Sequence, residues 1–233
     1  MLAGRVALVT GAAGNLGRAV AAAFASAGAS LVLLGHDEAS LRSVYGAGDA
    51  RRMFAAADLL DAASVAAAVQ GALARFGRVD ALCNLAGGFE MGPPVHETSD
   101  EAWDRMLDLN ARTVLHAARA VVPRMLAARY GKIVNVGAMA GLAGKAHMGA
   151  YAAAKSMVIR LTESLSAELR DDGINVNCVL PSIIDTPQNR AAMPKADPRR
   201  WVSPAALADV LLFLVSDKSA AIHGAAIPVT GLV

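Results

Sequence analysis

Aromatic side chains are scarce in this chain of 233 residues: phenylalanine, tyrosine and tryptophan together make up 4% of it. A core built without large rings relies on alanine and the aliphatics, which suits helices packed closely on a sheet better than a β-sandwich. Cysteine is almost absent. Cys83 and Cys178 lie in apolar segments with no CxxC or Cys/His spacing, so each reads as a small buried hydrophobe, no metal site is expected, and a reducing, cytoplasmic setting is. Nor does charge of one sign accumulate. Twenty-two Lys and Arg against 20 Asp and Glu leave a formal charge of +2, and the basic residues form no stripe interleaved with aromatics, so no nucleic-acid partner is expected. Long uninterrupted apolar runs are missing too. Ser26, Gly28 and Ser30 break the stretch Ala19 to Gly35, and Thr10, Gly11, Gly14, Asn15, Gly17 and Arg18 break the one before it. Neither a membrane span nor a leader is expected, and no membrane partner.

The chain does hold short apolar runs bounded by turn signals: "RVALVT", "SLVLLG", "RRMFAAAD", "DALCNLAG", "KIVNVG", "INVNCVL" and "AAIPVT". Their length fits buried strands. Between them lie stretches of helical period. "LGRAVAAAFASAG" ends on Gly28 and "DAASVAAAVQGALARFG" on Gly77, both in C-cap position, while residues 99–130 open on a Ser/Asp/Glu cluster suited to an N-terminus and carry Pro123, which predicts a kink. Strand and helix alternate throughout. The pattern predicts a single-domain α/β fold over residues 1–233, a Rossmann-like, doubly wound parallel sheet flanked by helices. Residues 181–204 break the rhythm with prolines, mixed charge and no period. That stretch reads as a long substrate loop at the C-terminal end of a strand, where open α/β sheets bind ligands.

"TGAAGNLG", Thr10 to Gly17, closes the first strand and opens the first helix. Glycines there allow a tight turn and a close backbone approach to a pyrophosphate, whose charge meets the free N–H groups of the helix. A dinucleotide site is therefore expected at Gly11, Asn15, Leu16 and Gly17.

With this loop, the "NLAG" strand end, the asparagine of "LDLNA", "YAAAK" and "PSIIDT", the chain resembles a short-chain dehydrogenase/reductase over nearly its whole length. Three motifs depart from the family pattern: Asn15 replaces the middle glycine of the first loop, with Gly14 beside it, Leu85 the second asparagine of NNAG, and Ser182 the glycine after Pro181. The resemblance implies NAD(H) or NADP(H) as cofactor. It makes Tyr151 the proton donor, Lys155 one turn on its tuner and ribose contact, and Asn110 the holder of a relay water. It places Asp58 and Leu59 near the adenine, His36 and Asp37 near the ribose, and Asn84, Ala86, Gly87, Pro181, Ile183 and Thr186 along the cofactor. An acidic residue after the second strand favours NAD and an arginine NADP; this chain has His36 then Asp37, so both cofactors stay open.

Thirteen residues before Tyr151, where most family members carry a serine that polarises the carbonyl, stands Ala138. Loss of such a donor typically costs about 10² to 10³ in rate. Dihydropteridine reductase, a branch that keeps Tyr and Lys without the serine, is similar here, and its "DTPxNRxxMPxAD" string resembles residues 185–197. That resemblance implies hydride transfer to an activated acceptor such as quinonoid dihydropterin. Two other readings stand beside it: a ketoreductase-like carbonyl or alcohol oxidoreductase lacking the serine, and a cofactor-binding pseudoenzyme. His147 lies where a substitute donor would stand, though a surface position is the simpler reading, and Met91, Met139, Met148 and Met193 are candidates for the cleft lining or for gap-filling core. The family's habit implies a homodimer or homotetramer through the helices spanning Ser99 to Tyr130 and Gly149 to Asp171, with a small-molecule substrate.

Overall fold

The structure, a computed structural model, describes residues 1–233. Seven strands form one parallel sheet: β1 (Val6–Val9), β2 (Ser30–Gly35), β3 (Arg52–Ala56), β4 (Ala81–Asn84), β5 (Gly131–Val136), β6 (Ile174–Pro181) and β7 (Ala226–Val229). They lie in the order β3-β2-β1-β4-β5-β6-β7, every neighbouring pair parallel. Each apolar run read as a strand matches one to within three residues at its ends.

Alternate residues of each strand point to opposite faces, and both faces are covered. Val6 and Leu8 of β1 with Val32 and Leu34 of β2 meet Val69 and Ala72 of α3 (Ala62–Phe76) and Val121 and Met125 of α5 (Thr113–Ala128). Ala7, Val9, Leu31 and Leu33 meet Phe24 of α1 (Asn15–Ser26) and Leu207, Leu211 and Leu214 of α8 (Pro204–Leu214). Two-sided burial explains why these strands read as unbroken apolar runs. β7 closes one edge with exposed Pro228, whose missing N–H is tolerated there.

Helix ends follow local chemistry. Gly77 caps α3 in the left-handed region at φ 73°, and the Ser99 hydroxyl accepts the Ala102 N–H at the start of α4 (Asp100–Leu107). Three features differ from the sequence pattern. α2 (Glu38–Tyr45) has no clear apolar stripe, with Leu41 alone buried, and is set by the Asp37 cap. The helix expected over residues 99–130 is not continuous: α5 runs on through Pro123, and a π-helical turn at Asp108–Arg112 joins α4 to α5. The stretch 181–204 is not one irregular loop: Thr186 caps α7 (Pro187–Ala192), a 3₁₀ turn spans Pro198–Arg200, and Ile184 bridges Val202. These elements are too short to carry a period. α6 (Gly149–Leu169) runs on into a 3₁₀ turn at Arg170–Asp172.

After β3 the chain returns to place β4 beside β1, so the strand order reverses between β1 and β4. In an open parallel sheet the connections leaving such a pair run apart and leave a crevice at their C-terminal ends.

Candidate active site

The crevice is lined by the loops after β1 and β4, which are tied to each other. The Thr10 hydroxyl accepts the N–H groups of Leu85 at 3.0 Å and Ala86 at 3.1 Å. Gly11 has φ 62° and approaches the second loop so closely that a Cβ there would lie 3.0 Å from the Ala86 N and Cα. At Gly17 a Cβ would lie 2.6 Å from the Ala12 carbonyl oxygen. Both positions demand glycine, as the spacing implied. Gly14 caps α1 and Asn15 begins it, so the substitution at the middle glycine is absorbed by an ordinary helix start. The N–H groups of Ala13, Asn15, Leu16 and Gly17 have no protein acceptor and remain available to an anion. This backbone fits a dinucleotide pyrophosphate.

Other residues expected along the cofactor fall into two groups. Ala86 and Gly87 follow β4 at the crevice, and a Cβ on Gly87 would sit 2.8 Å from Asn110 Oδ1 and 3.4 Å from Lys155 Nζ. The Asn84 side chain is buried instead, donating to Asn135 Oδ1 at 2.8 Å. The Asp37 carboxylate accepts the Ser40 N–H and hydroxyl, each at 2.7 Å, and these bonds hold it below the usual carboxylate range. His36 beside it is exposed. Asp58 turns its carboxylate to the Leu60 N–H, and the Leu59 carbonyl lies 3.0 Å from Nδ1 of His116, a buried histidine of α5 that sequence reasoning passed over. Pro181 ends β6, Leu16 packs on the core, and the Ile183 carbonyl takes the Val202 N–H. The Thr186 hydroxyl accepts the Asn189 N–H, and Asn15 Nδ2 donates to Gln188 Oε1 at 2.8 Å.

Tyr151 and Lys155 occupy the first turns of α6, one turn apart and so on the same side. Lys155 is buried, and its Nζ donates to the Val136 carbonyl at 2.9 Å while standing 5.9 Å from the centre of the Tyr151 ring. Burial pulls Lys155 down to about 8 and pushes Tyr151 up to about 12. A phenol so placed is a poor acid until a cation is turned toward it. Asn110 lies in the π-helical turn, a local geometry that frees backbone groups and recurs at functional sites. Its amide is held on three sides, by Gly88 N–H at 3.2 Å and by the carbonyls of Gly88 and Met106 at 3.1 Å each.

Ala138 is buried after β5, just before a 3₁₀ turn at Met139–Gly141, whose last residue lies against the Lys155 backbone. Against the tyrosine stands Phe89, its ring edge-on at 5.0 Å with an interplanar angle of 83°. Phe89 is 56% exposed. The sequence signal for it, an aromatic two residues after "LAG", is slight. Met91 and Leu142 are likewise exposed, and the Gly92 N–H ties the β4 loop to the His147 carbonyl at 2.8 Å. His147 itself is exposed at φ 62°, Met139 packs toward α6, and Met148 and Met193 are half-buried.

The chain matches the short chain dehydrogenase family over residues 5–197. A cis-4-hydroxycyclohexanecarboxylate dehydrogenase of Sinomonas cyclohexanicum is 36% identical, the match covering 97% of this chain and 95% of that one. A D-threitol dehydrogenase of Mycolicibacterium smegmatis is 35% identical over 99% of this chain and 93% of the relative. Among solved structures, an NAD⁺-bound xylitol dehydrogenase superposes with a TM-score of 0.88 at 28% identity, covering 99% of each chain. No helix here is long and apolar enough to cross a membrane.

Proposed function

The chain belongs to the short-chain dehydrogenase family, as an oxidoreductase using NAD(H) or NADP(H), and within that family we propose that it reduces an activated, conjugated acceptor, with quinonoid dihydropterin as the candidate. The bound cofactor supplies hydride. Tyr151 delivers the proton, Lys155 turns its charge toward the phenol and the ribose, and Asn110 holds the relay water.

What supports the choice of acceptor is Ala138, a buried methyl group thirteen residues before Tyr151, at the spacing where the family's pattern carries a serine whose hydroxyl meets the developing charge. Of the hydroxyls after β6, Ser182 spends its donor on the Thr230 carbonyl at 2.7 Å, whereas Thr186 accepts the Asn189 N–H as the cap of α7 and keeps its own proton. An acceptor that delocalises incoming charge over a conjugated ring needs such a donor least, and the exposed face of Phe89 offers it a flat apolar wall. The names of the relatives favour a second reading, a carbonyl or alcohol oxidoreductase. Assembly as a homodimer or homotetramer is part of the proposal, supported by Trp103 of α4, Leu115 of α5 and Met157 of α6, exposed on the helices expected to pair.

Consumption of NADH and NADPH with quinonoid dihydropterin, corrected for chemical reduction, tests this. Turnover that collapses in Tyr151→Phe and gains little in Ala138→Ser is expected. No turnover with the pterin, together with ketone reduction that rises in Ala138→Ser, would establish the second reading instead.

A further inference from the structure

We infer that Tyr45, the last residue of α2, is a positioning residue for the pyrophosphate-binding loop. Its hydroxyl donates to the Ala12 carbonyl at 2.7 Å, the one bond that a side chain from another element makes to a carbonyl of the loop Thr10–Gly17. A trans peptide is planar, with its C=O and N–H pointing in opposite directions. Turning the Ala12 carbonyl toward α2 therefore aims the Ala13 N–H the other way, and that group has no protein acceptor. The neighbouring peptides are fixed by other means: the Ala12 N–H donates to the Leu34 carbonyl at 3.0 Å, and the Gly14 N–H to the Gly11 carbonyl at 3.1 Å. Without Tyr45 the peptide between Ala12 and Ala13 has no side-chain hydrogen bond on its carbonyl side, only packing against Gly17. A rotation there turns a carbonyl lone pair toward the anion instead of an N–H.

The phenol is itself held. Its ring packs against Phe54 with centroids 6.0 Å apart, the Arg52 guanidinium lies 5.9 Å from its centre, and Arg52 Nη1 donates to the Tyr45 carbonyl at 3.2 Å. Burial raises Tyr45 to about 12, so the hydroxyl stays protonated and keeps its donor over the working pH range. At the other end of α2, the Asp37 cap fixes where the helix starts and hence where Tyr45 reaches. Asp37 thus acts on the nucleotide site through the helix it begins.

Tyr45→Phe removes the oxygen and keeps the ring. The expected result is a rise of about fivefold in KM for NADH and in Kd for ADP-ribose, the size of one hydrogen bond lost, with kcat within about twofold and binding of adenosine unchanged. Adenosine lacks the pyrophosphate. If the variant weakens adenosine and ADP-ribose equally, the hydroxyl only supports the fold and the inference fails; it fails as well if ADP-ribose binds as before or if kcat falls while KM holds. Tyr45→Leu serves as the comparison, since losing the ring lowers Tm further while the ratio of ADP-ribose to adenosine affinity stays that of Tyr45→Phe.

Discussion

Lys155 Nζ donates to the Val136 carbonyl at 2.9 Å, and this is the single protein acceptor the buried ammonium has. No carboxylate compensates it, so burial lowers its pKa to about 8 from 10.5. Between those values the unfolded chain holds a proton that the native chain has lost, and stability rises with pH. The whole span is worth about 3 kcal/mol. Wild type is therefore expected to gain on Lys155→Met as pH moves from about 7.5 to 10.5, measured by urea unfolding; an unchanging gap would mean the lysine titrates normally.

The same proton limits catalysis. The ratio kcat/KM reports groups of the free enzyme, and the proton on Tyr151 is hard to release without the lysine's charge. Reduction is expected to fall above about pH 8, close to tenfold per pH unit, in a profile of initial rates. A flat profile to pH 10 would show that Lys155 stays charged in the free enzyme.

Much of this arrangement is legible in residue spacing. Gly11, Gly17, Tyr151 and Lys155 sit where the motifs place them because backbone approach and helical pitch act over a few residues. Phe89, Tyr45 and His116 were not legible, since each acts on a residue distant in the chain: Tyr151, Ala12 and Leu59. α2 was missed because one buried leucine makes no periodic signal, and α7 because six residues are too few to show one. The π-helical turn at Asn110 has no composition of its own and follows from how α4 and α5 pack.

Phe89 is exposed and meets the Tyr151 ring edge-on at 5.0 Å. Such a pair contributes about 1 kcal/mol, and the ring's open face is left for the substrate. Phe89→Ala is expected to raise KM for a conjugated ring acceptor about fivefold while lowering Tm by only about 2–4 °C and leaving KM for NADH within about twofold. Steady-state kinetics with both substrates varied decides it. A fall in kcat at constant KM would instead make Phe89 a support for the tyrosine.

At Gly17 a Cβ would press hardest on the Gly11 carbonyl oxygen and would lie 2.6 Å from the Ala12 carbonyl oxygen and 2.7 Å from its Cα, all backbone atoms. The Ala12 carbonyl receives the Tyr45 hydroxyl. Gly17→Ala must displace it, with an expected loss of about 1–3 kcal/mol in stability and of measurable NADH binding by fluorescence titration. Gly14→Ala, whose Cβ would stand 3.3 Å from the Gly11 carbonyl, is the milder change. Equal effects at both positions would show that the tighter crowding at Gly17 is not what matters.

Asn84 and Asn135 pair across β4 and β5, and their amides continue a buried chain: Asn84 donates to Asn135 at 2.8 Å, Asn135 to Thr162 at 2.9 Å, and Thr162 to the Val158 carbonyl at 2.8 Å. All three side chains are buried, so removing one leaves an acceptor without water to replace the donor. Asn84→Ala is expected to lower stability by about 1–3 kcal/mol, at an unchanged denaturant slope, with KM for NADH within about twofold. This run of bonds ties β4, which borders the crevice, and β5 beside it to α6, which carries Tyr151 and Lys155, so its contribution lies in holding the catalytic helix against the sheet. Should KM rise at full stability, the amide would be a ligand of the cofactor, as its place in the strand-end motif suggests, and the buried pairing with Asn135 would have to open when the cofactor binds.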